Sequence, residues 1–280
     1  MSQVSRSKNF LLENHARIIN FQSGVLSILK QMVSGRWVFA TLTVFLGLAV
    51  LIRLGIWQLD RLEQRRAFNA RVFKQQALPV LDLNQGYESE LLRDMEYREV
   101  AIRGKYDHSQ QIAIRNQYWQ NQSGYHLLTP LMIDETSEMV LVDRGWIPSS
   151  AYTANNMAQF DEPGYVQVKG IIRKSRDSAD FGINRVDASG SQVNPISAWN
   201  FVNIENIQKQ MNSSLLPVYI QQSPEPTWTG MPYRFQPELK LTEGPHLGYA
   251  IQWFTFAAIL GLGYPIYISR HIHRTQGKIQ

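Results

Sequence analysis

Two uninterrupted apolar runs limit what this chain can fold into. The first, Trp37 to Leu59 (WVFATLTVFLGLAVLIRLGIWQL), has Arg53 as its one formal charge. The second, Leu247 to Ile268 (LGYAIQWFTFAAILGLGYPIYI), has none. At a rise of about 1.5 Å per residue, about 20 residues cross a hydrocarbon core of roughly 30 Å. Both runs are long enough, whereas a helix buried in a soluble core is usually shorter and apolar on one side. The mean hydropathy of -0.26 hides them by averaging over a polar remainder. The expected organisation is a polar and amphipathic leader (1–36), a transmembrane helix (37–59), an extracytoplasmic soluble domain (60–246), a second transmembrane helix (247–268) and a basic tail (269–280).

A cleaved signal peptide has a short basic start, an apolar stretch of about 7–15 residues and a small-residue cleavage site. Here a longer apolar run follows a polar leader and ends in Trp57, Gln58 and Leu59, so a retained anchor is expected. Leu11, Leu12, Ile18, Ile19, Val25, Leu26 and Leu29 give the leader the material for a surface-lying amphipathic helix. Glu13 and the few arginines argue against a mitochondrial targeting peptide. Arg270, Arg274 and Lys278 after the second run place the termini inside by the positive-inside rule, with the domain outside. Arg61, Arg65, Arg66, Arg71 and Lys74 after the first run oppose that rule, which is weak for long translocated domains. Arg53 lies near enough to a helix end to snorkel to the interface, with Trp57 marking the belt.

The net charge of +5 concentrates beside the apolar runs. Membrane lipid head groups explain that placement, and no nucleic-acid motif accompanies it. The chain has no cysteine, which excludes disulfides, iron–sulfur ligation, thiolate copper sites and a cysteine nucleophile.

The segment from Asp60 to Gln76 continues the first helix into water, with Leu62, Arg66 and Asn69 on one face. Period-two alternation follows: Val100, Ile102, Gly104 and Tyr106; Ile112 and Ile114; Val140 and Val142; Val166, Val168, Gly170 and Ile172. Such strands recur without long helices between them, against a doubly wound fold. The fold class expected is two transmembrane α-helices flanking a mainly antiparallel β (α+β) soluble domain, for which a small closed barrel is one form. Short helices are expected near Ser89–Met95 and Ile204–Met211, a long loop over Ser175–Ser197, and an extended linker over Ser223–Pro237.

No nucleophile elbow, P-loop or zinc-protease motif occurs, so no catalytic residue is assigned. Of the six histidines, His246 stands at the edge of the second apolar run. A neutral imidazole is a haem-iron ligand and an apolar helix can shelter a porphyrin, although a simple interfacial histidine is the plainer reading. Tyr249 and Trp253 share its helix face, fit either for stacking on a flat ligand or for packing on the first span. His126, at the start of an apolar strand, reads as structural, and the His271/His273 pair as a polar cap. Arg144, in DRGWIP (Asp143–Pro148), is available for a carboxylate or a propionate, with a structural β-corner as the plainer reading.

Several separated pieces, taken in order, resemble one family: Gly55-Ile56-Trp57-Gln58 with Arg61; Tyr97-Arg98-Glu99-Val100 with Gly104 and Tyr106; Thr129-Pro130; Asp143 to Pro148; and His246-Leu247-Gly248-Tyr249-Ala250 with Gln252-Trp253-Phe254. Together they resemble the Surfeit-locus (Surf/Shy) family of cytochrome c oxidase assembly factors. The resemblance implies a non-enzymatic helper for haem–copper oxidase. It would sit in the bacterial cytoplasmic membrane or the mitochondrial inner membrane, with its domain in the periplasm or intermembrane space. It implies haem a as cofactor or cargo, and as partners the largest oxidase subunit and the haem a synthesis machinery. His246 matches the family's candidate ligand of haem iron. In this reading apolar surface between the spans holds the porphyrin, and Arg144 or Arg61 pairs with its propionates. Pro245 departs from the polar residue the family often has there. Copper delivery to the same oxidase needs thiolates, which this chain lacks. The competing reading is a membrane-anchored interaction scaffold without haem contact.

Overall fold

The structure is a computed structural model that describes residues 26–152, 157–176, 197–236 and 238–276. Most of the leader's apolar positions, Leu11 to Val25, and most of the Ser175–Ser197 stretch lie outside the described residues. The chain divides into a helical unit, up to Ala67 and from Thr242 onward, and a β unit, Phe68–Leu241.

Helix α1 (Val38–Gln76) is continuous for 39 residues, as the sequence pattern predicts. At roughly 58 Å it is nearly twice as long as a hydrocarbon core is thick. A line of less exposed positions runs through Thr41, Val44, Leu48, Leu51, Gly55, Gln58 and Leu62, alternately three and four residues apart. That spacing is the seam of a helix that pairs with another along its length. Arg66 lies off the seam and is exposed; the buried line runs on through Leu62, Asn69 and Val72 instead.

The partner is the last long helix, α3 (His246–Gln276), whose buried Ala250, Ala257 and Ile268 lie on one side. Small residues bring the two backbones close. A Cβ on Gly55 would stand 2.7 Å from the Phe254 ring, and one on Gly47 3.3 Å from Leu260. The Tyr264 hydroxyl is 2.6 Å from Thr41 Oγ1, which itself donates to the Met32 carbonyl at 2.8 Å. Phe39, Leu42, Phe45, Leu46, Ile259 and Leu262 turn outward. Both helices are long and apolar enough to cross a membrane, and lipid is the solvent that suits such an outer surface. Arg53 is on that outer surface too, with Trp57 and Arg61 following on the same face.

Among the described residues the β unit holds eight strands: β1 (Leu81–Asp82), β2 (Glu99–Tyr106), β3 (Ile112–Trp119), β4 (Gln122–Ile133), β5 (Met139–Pro148), β6 (Tyr165–Lys174), β7 (Ala198–Trp199) and β8 (Leu215–Gln222). Neighbours run β2-β6-β8-β5-β4, and β4 pairs again with β2, closing a five-stranded barrel. Closure happens at Gly104, which pairs with Val166 of β6 and with Ile133 of β4. A side chain there would collide with the Met132 carbonyl, so the strand can turn between its two partners only as glycine. Antiparallel pairs predominate, but β5 and β8 are parallel.

The alternating positions read from the sequence fill the barrel. Val100, Ile102, Tyr106, Val140, Val142, Val168 and Ile172 are buried in one cluster with Leu131, Val218 and Ile220. A second cluster lies outside the barrel wall, where Ile112, Ile114, Leu128 and Leu141 pack under Trp199 and helix α2 (Ile204–Gln208). Ser89–Asp94 forms a 3-10 turn close to the expected short helix.

Candidate functional site

His246 opens α3, just after Gly244, whose φ of +71° turns the chain into the helix. Two residues of α1 tie down this entry. Arg66 forms a bidentate ion pair with Glu243 (2.8 and 3.0 Å), and Arg65 donates to the Thr242 carbonyl (3.0 Å). The imidazole is oriented from α1 as well. His246 Nδ1 is 2.9 Å from Gln58 Oε1. An amide oxygen only accepts, so Nδ1 carries the proton and, in the neutral ring, Nε2 keeps its lone pair. A histidine that ligates a metal is usually held this way by its other nitrogen.

Tyr249 and Trp253 lie on the same side of α3, one flank of the seam with α1. Tyr249 is half exposed, and the Trp253 ring meets Phe256 edge-on at 6.2 Å. Arg61, on α1, is exposed; it donates to Gln64 at 3.0 Å and lies 5.6 Å over the Trp57 ring. The helices touch at Gly55 and Phe254, so there is no porphyrin-sized slot between the spans at that level. His246, Tyr249 and Trp253 share one outer flank of α3 instead. Among the described residues no group of three or more His, Cys, Asp and Glu is placed to hold a bare metal ion.

The fifth sequence-assigned residue, Arg144, belongs to the β unit and is fully buried. Its carboxylate partner is internal. Arg144 Nη2 is 2.9 Å from Glu162 Oε1, Nη1 donates to Gln111 Oε1 at 2.8 Å, and Nη2 also donates to the Phe160 carbonyl. Glu162 takes a second arginine, Arg234, at 2.8 Å. The Arg144 guanidinium also lies 4.9 Å over the Tyr106 ring. All of its nitrogens are engaged, so an added propionate would have to displace these partners.

The DRGW segment is a bulge. Leu127 pairs with Gly145 and Leu128 with Asp143, which leaves Arg144 as the extra residue. Gly145 has φ +129°, and a Cβ there would stand 2.5 Å from the Tyr233 carbonyl oxygen. Trp146 joins Trp119 and Tyr233 in an aromatic stack.

Asp143 uses the bulge differently. Both its oxygens are 2.8 Å from His126 Nδ1. Burial by itself lowers the imidazole's pKa, but the carboxylate's charge and hydrogen bond outweigh it and hold the pKa above the ordinary value. His126 reads as structural in the sequence, yet with Asp143 and Arg173 it lines a cleft of about 760 Å³ in the β unit. The one sequence signal for this pair is a polar residue at an otherwise apolar position on each of two adjacent strands.

The SURF1 family model matches residues 45–258. The chain is 26% identical over 231 residues to a SURF1-like protein of Rickettsia bellii, covering 81% of this chain and 89% of the relative. It is 23% identical over 236 residues to a SURF1-like protein of Caenorhabditis briggsae, covering 77% and 71%. Over a shorter stretch of 94 residues it is 31% identical to the cytochrome oxidase assembly protein SHY1 of Saccharomyces cerevisiae, covering 34% of this chain and 24% of that one. The ordered motif set is thereby borne out: the chain is a membrane protein that belongs to the SURF1 family.

Proposed function

We propose that this chain is an assembly factor for haem–copper cytochrome c oxidase and acts without catalysing a reaction of its own. In this reading it is anchored by α1 and α3 with both termini inside and its barrel in the periplasm or intermembrane space. It attends the largest oxidase subunit and receives haem a from the synthesis machinery. Family membership supports the assembly role, as does the role for which the yeast relative is named.

The observation that carries haem contact is the hydrogen bond from His246 Nδ1 to Gln58 Oε1. It joins two separated pieces of the motif set and presents Nε2 as a ligand atom. Tyr249 and Trp253 supply the stacking surface beside it. Arg61 needs only to leave Gln64 to reach a propionate, whereas Arg144 serves the barrel interior. The bond orients the histidine and fixes its tautomer; bound haem would supply the iron that Nε2 ligates.

The test is made in a strain deleted for the gene and complemented with wild type, His246→Ala or Gln58→Leu. Visible spectra report haem a in membranes and in the purified protein. The expected result is loss of haem from His246→Ala, weakened retention in Gln58→Leu, and low oxidase activity in the deletion. Full oxidase assembly with His246→Ala would turn the reading to an interaction scaffold with no haem contact. Normal oxidase in the deletion would remove the assembly role itself.

A further inference from the structure

The cleft of the β unit has no part in the reading above. Its floor is the outer face of the barrel wall. The strand register sets Asp143 beside Gln221, Gln221 beside Ile171, and Tyr219 beside Arg173. At about 760 Å³ it is within the usual range for small-molecule sites, roughly 300–1,000 Å³.

Two groups able to carry positive charge are held in it, and the exposed Arg176 also lines it. His126 is held by Asp143, and its Nε2 has no partner among the described residues. The Arg173 guanidinium, cross-strand neighbour of Tyr219, lies 4.8 Å over the Tyr97 ring and keeps its charge as arginine does in proteins. Beside them is an aromatic wall, Trp119 and Phe235, with ring centroids 5.8 Å apart. Glu99 and Glu238 also line the cleft, but both are exposed, whereas the buried carboxylate, Asp143, is already matched by His126.

Keeping an imidazole–carboxylate pair out of water costs free energy, and here the pair leaves a donor-capable nitrogen facing an open cleft. A barrel needing only a filled wall could use apolar residues at both positions. The pair and Arg173 converge on one cavity because cross-strand register and the bulge at Arg144 put them there.

We propose that this cleft binds an amphipathic organic anion: a small molecule with a flat aromatic body that stacks on Trp119 and Phe235 and a carboxylate head that accepts from His126 Nε2 and the Arg173 guanidinium. With His126 protonated, which the Asp143 carboxylate favours, the imidazolium and the guanidinium give the head two charge-assisted hydrogen bonds. This site is separate from the His246 face and does not rest on haem handling there.

Titration calorimetry on the full chain in lipid nanodiscs tests it with three probes of one shape: 2-naphthoate, 2-naphthylmethanol and 2-naphthylmethylammonium. The expected result is one saturable site for 2-naphthoate, at least ten-fold tighter than for either analogue. Arg173→Gln and His126→Gln should each weaken 2-naphthoate about ten-fold or more and erase the preference for the anion. Phe235→Ala, which removes no charge, should weaken all three probes and keep the preference. Absence of a saturable site, equal affinity for the three probes, or unchanged 2-naphthoate binding by a folded Arg173→Gln protein would overturn the proposal.

Discussion

The two units solve opposite packing problems. In the helical unit, large apolar side chains such as Phe39, Phe45 and Leu262 face outward, and Gly47, Gly55, Ala250 and Ala257 occupy the contact. In the β unit the large side chains face inward, and the buried charged groups are paired, Asp143 with His126 and Arg144 with Glu162. Lipid tails are as apolar as leucine, so burying leucine between spans gains little and close backbone approach has to hold them together. Water gives the barrel a hydrophobic drive strong enough to carry buried ions, provided each keeps its partner. Damage should therefore come from lost partners in one unit and from added bulk in the other.

The largest effect is expected at Glu162, which both Arg144 and Arg234 depend on. Glu162→Leu leaves two buried guanidinium groups without their shared carboxylate. Breaking a buried pair in this way costs about 3–5 kcal/mol. Denaturant unfolding followed by near-UV circular dichroism should show that loss, and helix pairing should be unchanged. A cost under about 1 kcal/mol would mean the cluster is far more hydrated than its burial indicates.

Added bulk comes next. Gly55→Leu puts a side chain where a Cβ alone would stand 2.7 Å from Phe254. Overpacking costs about 1–3 kcal/mol, and here it is directed at one interface. The chain contains no cysteine, so Gly47→Cys with Leu260→Cys introduces a single clean crosslink across that interface. Crosslinking should fall sharply with Gly55→Leu, and barrel unfolding should not move. The same variant should lose the Gln58–His246 hydrogen bond, and with it any haem retained at His246.

These contrasts also separate what the sequence disclosed from what it did not. The spans were legible because about 20 apolar residues in a row have few other uses. The barrel strands were legible because Val100, Ile102, Val140 and Val142 alternate with polar neighbours, which is a local pattern. Closure between β2 and β4 was not, because Gly104 shows its role only when Val166 and Ile133 are both beside it. Within the candidate site, His246, Tyr249 and Trp253 were readable as one helix face. The partner Gln58 is 188 residues away in the chain and emerges only when the helices pair. Arg144 was readable as a structural β-corner or as available for a carboxylate; the structure buries it completely and gives it an internal carboxylate partner, Glu162. His126 reads as structural and its pairing with Asp143 is not legible, because a lone polar residue in a strand says nothing until register sets the two together.

The His126–Asp143 pair gives the β unit a pH dependence that the helix seam should lack. The folded-state pKa of His126 is raised, because the Asp143 charge and hydrogen bond outweigh desolvation. Its stabilising contribution is then complete below the unfolded pKa of about 6.5 and is lost as pH rises through the folded value. Wild-type barrel stability should fall over that interval by more than that of His126→Gln, while crosslinking between Gly47→Cys and Leu260→Cys, corrected for thiol reactivity, stays level. A fall of equal size in both proteins would assign the dependence to other groups.

The smallest effect tests a hydroxyl pair in the seam, Thr41 with Tyr264. Thr41 Oγ1 donates its proton to the Met32 carbonyl, so the Tyr264 hydroxyl must be the donor to Thr41. Tyr264→Phe removes that single hydrogen bond and keeps the ring. Interhelical hydrogen bonds in membranes average about 0.6 kcal/mol, because a separated polar group in lipid finds other partners. The variant should therefore shift the crosslinking equilibrium by about three-fold, far less than Gly55→Leu. A shift as large as that caused by Gly55→Leu would mean that polar pairing, and not close approach at the glycines, holds α1 to α3.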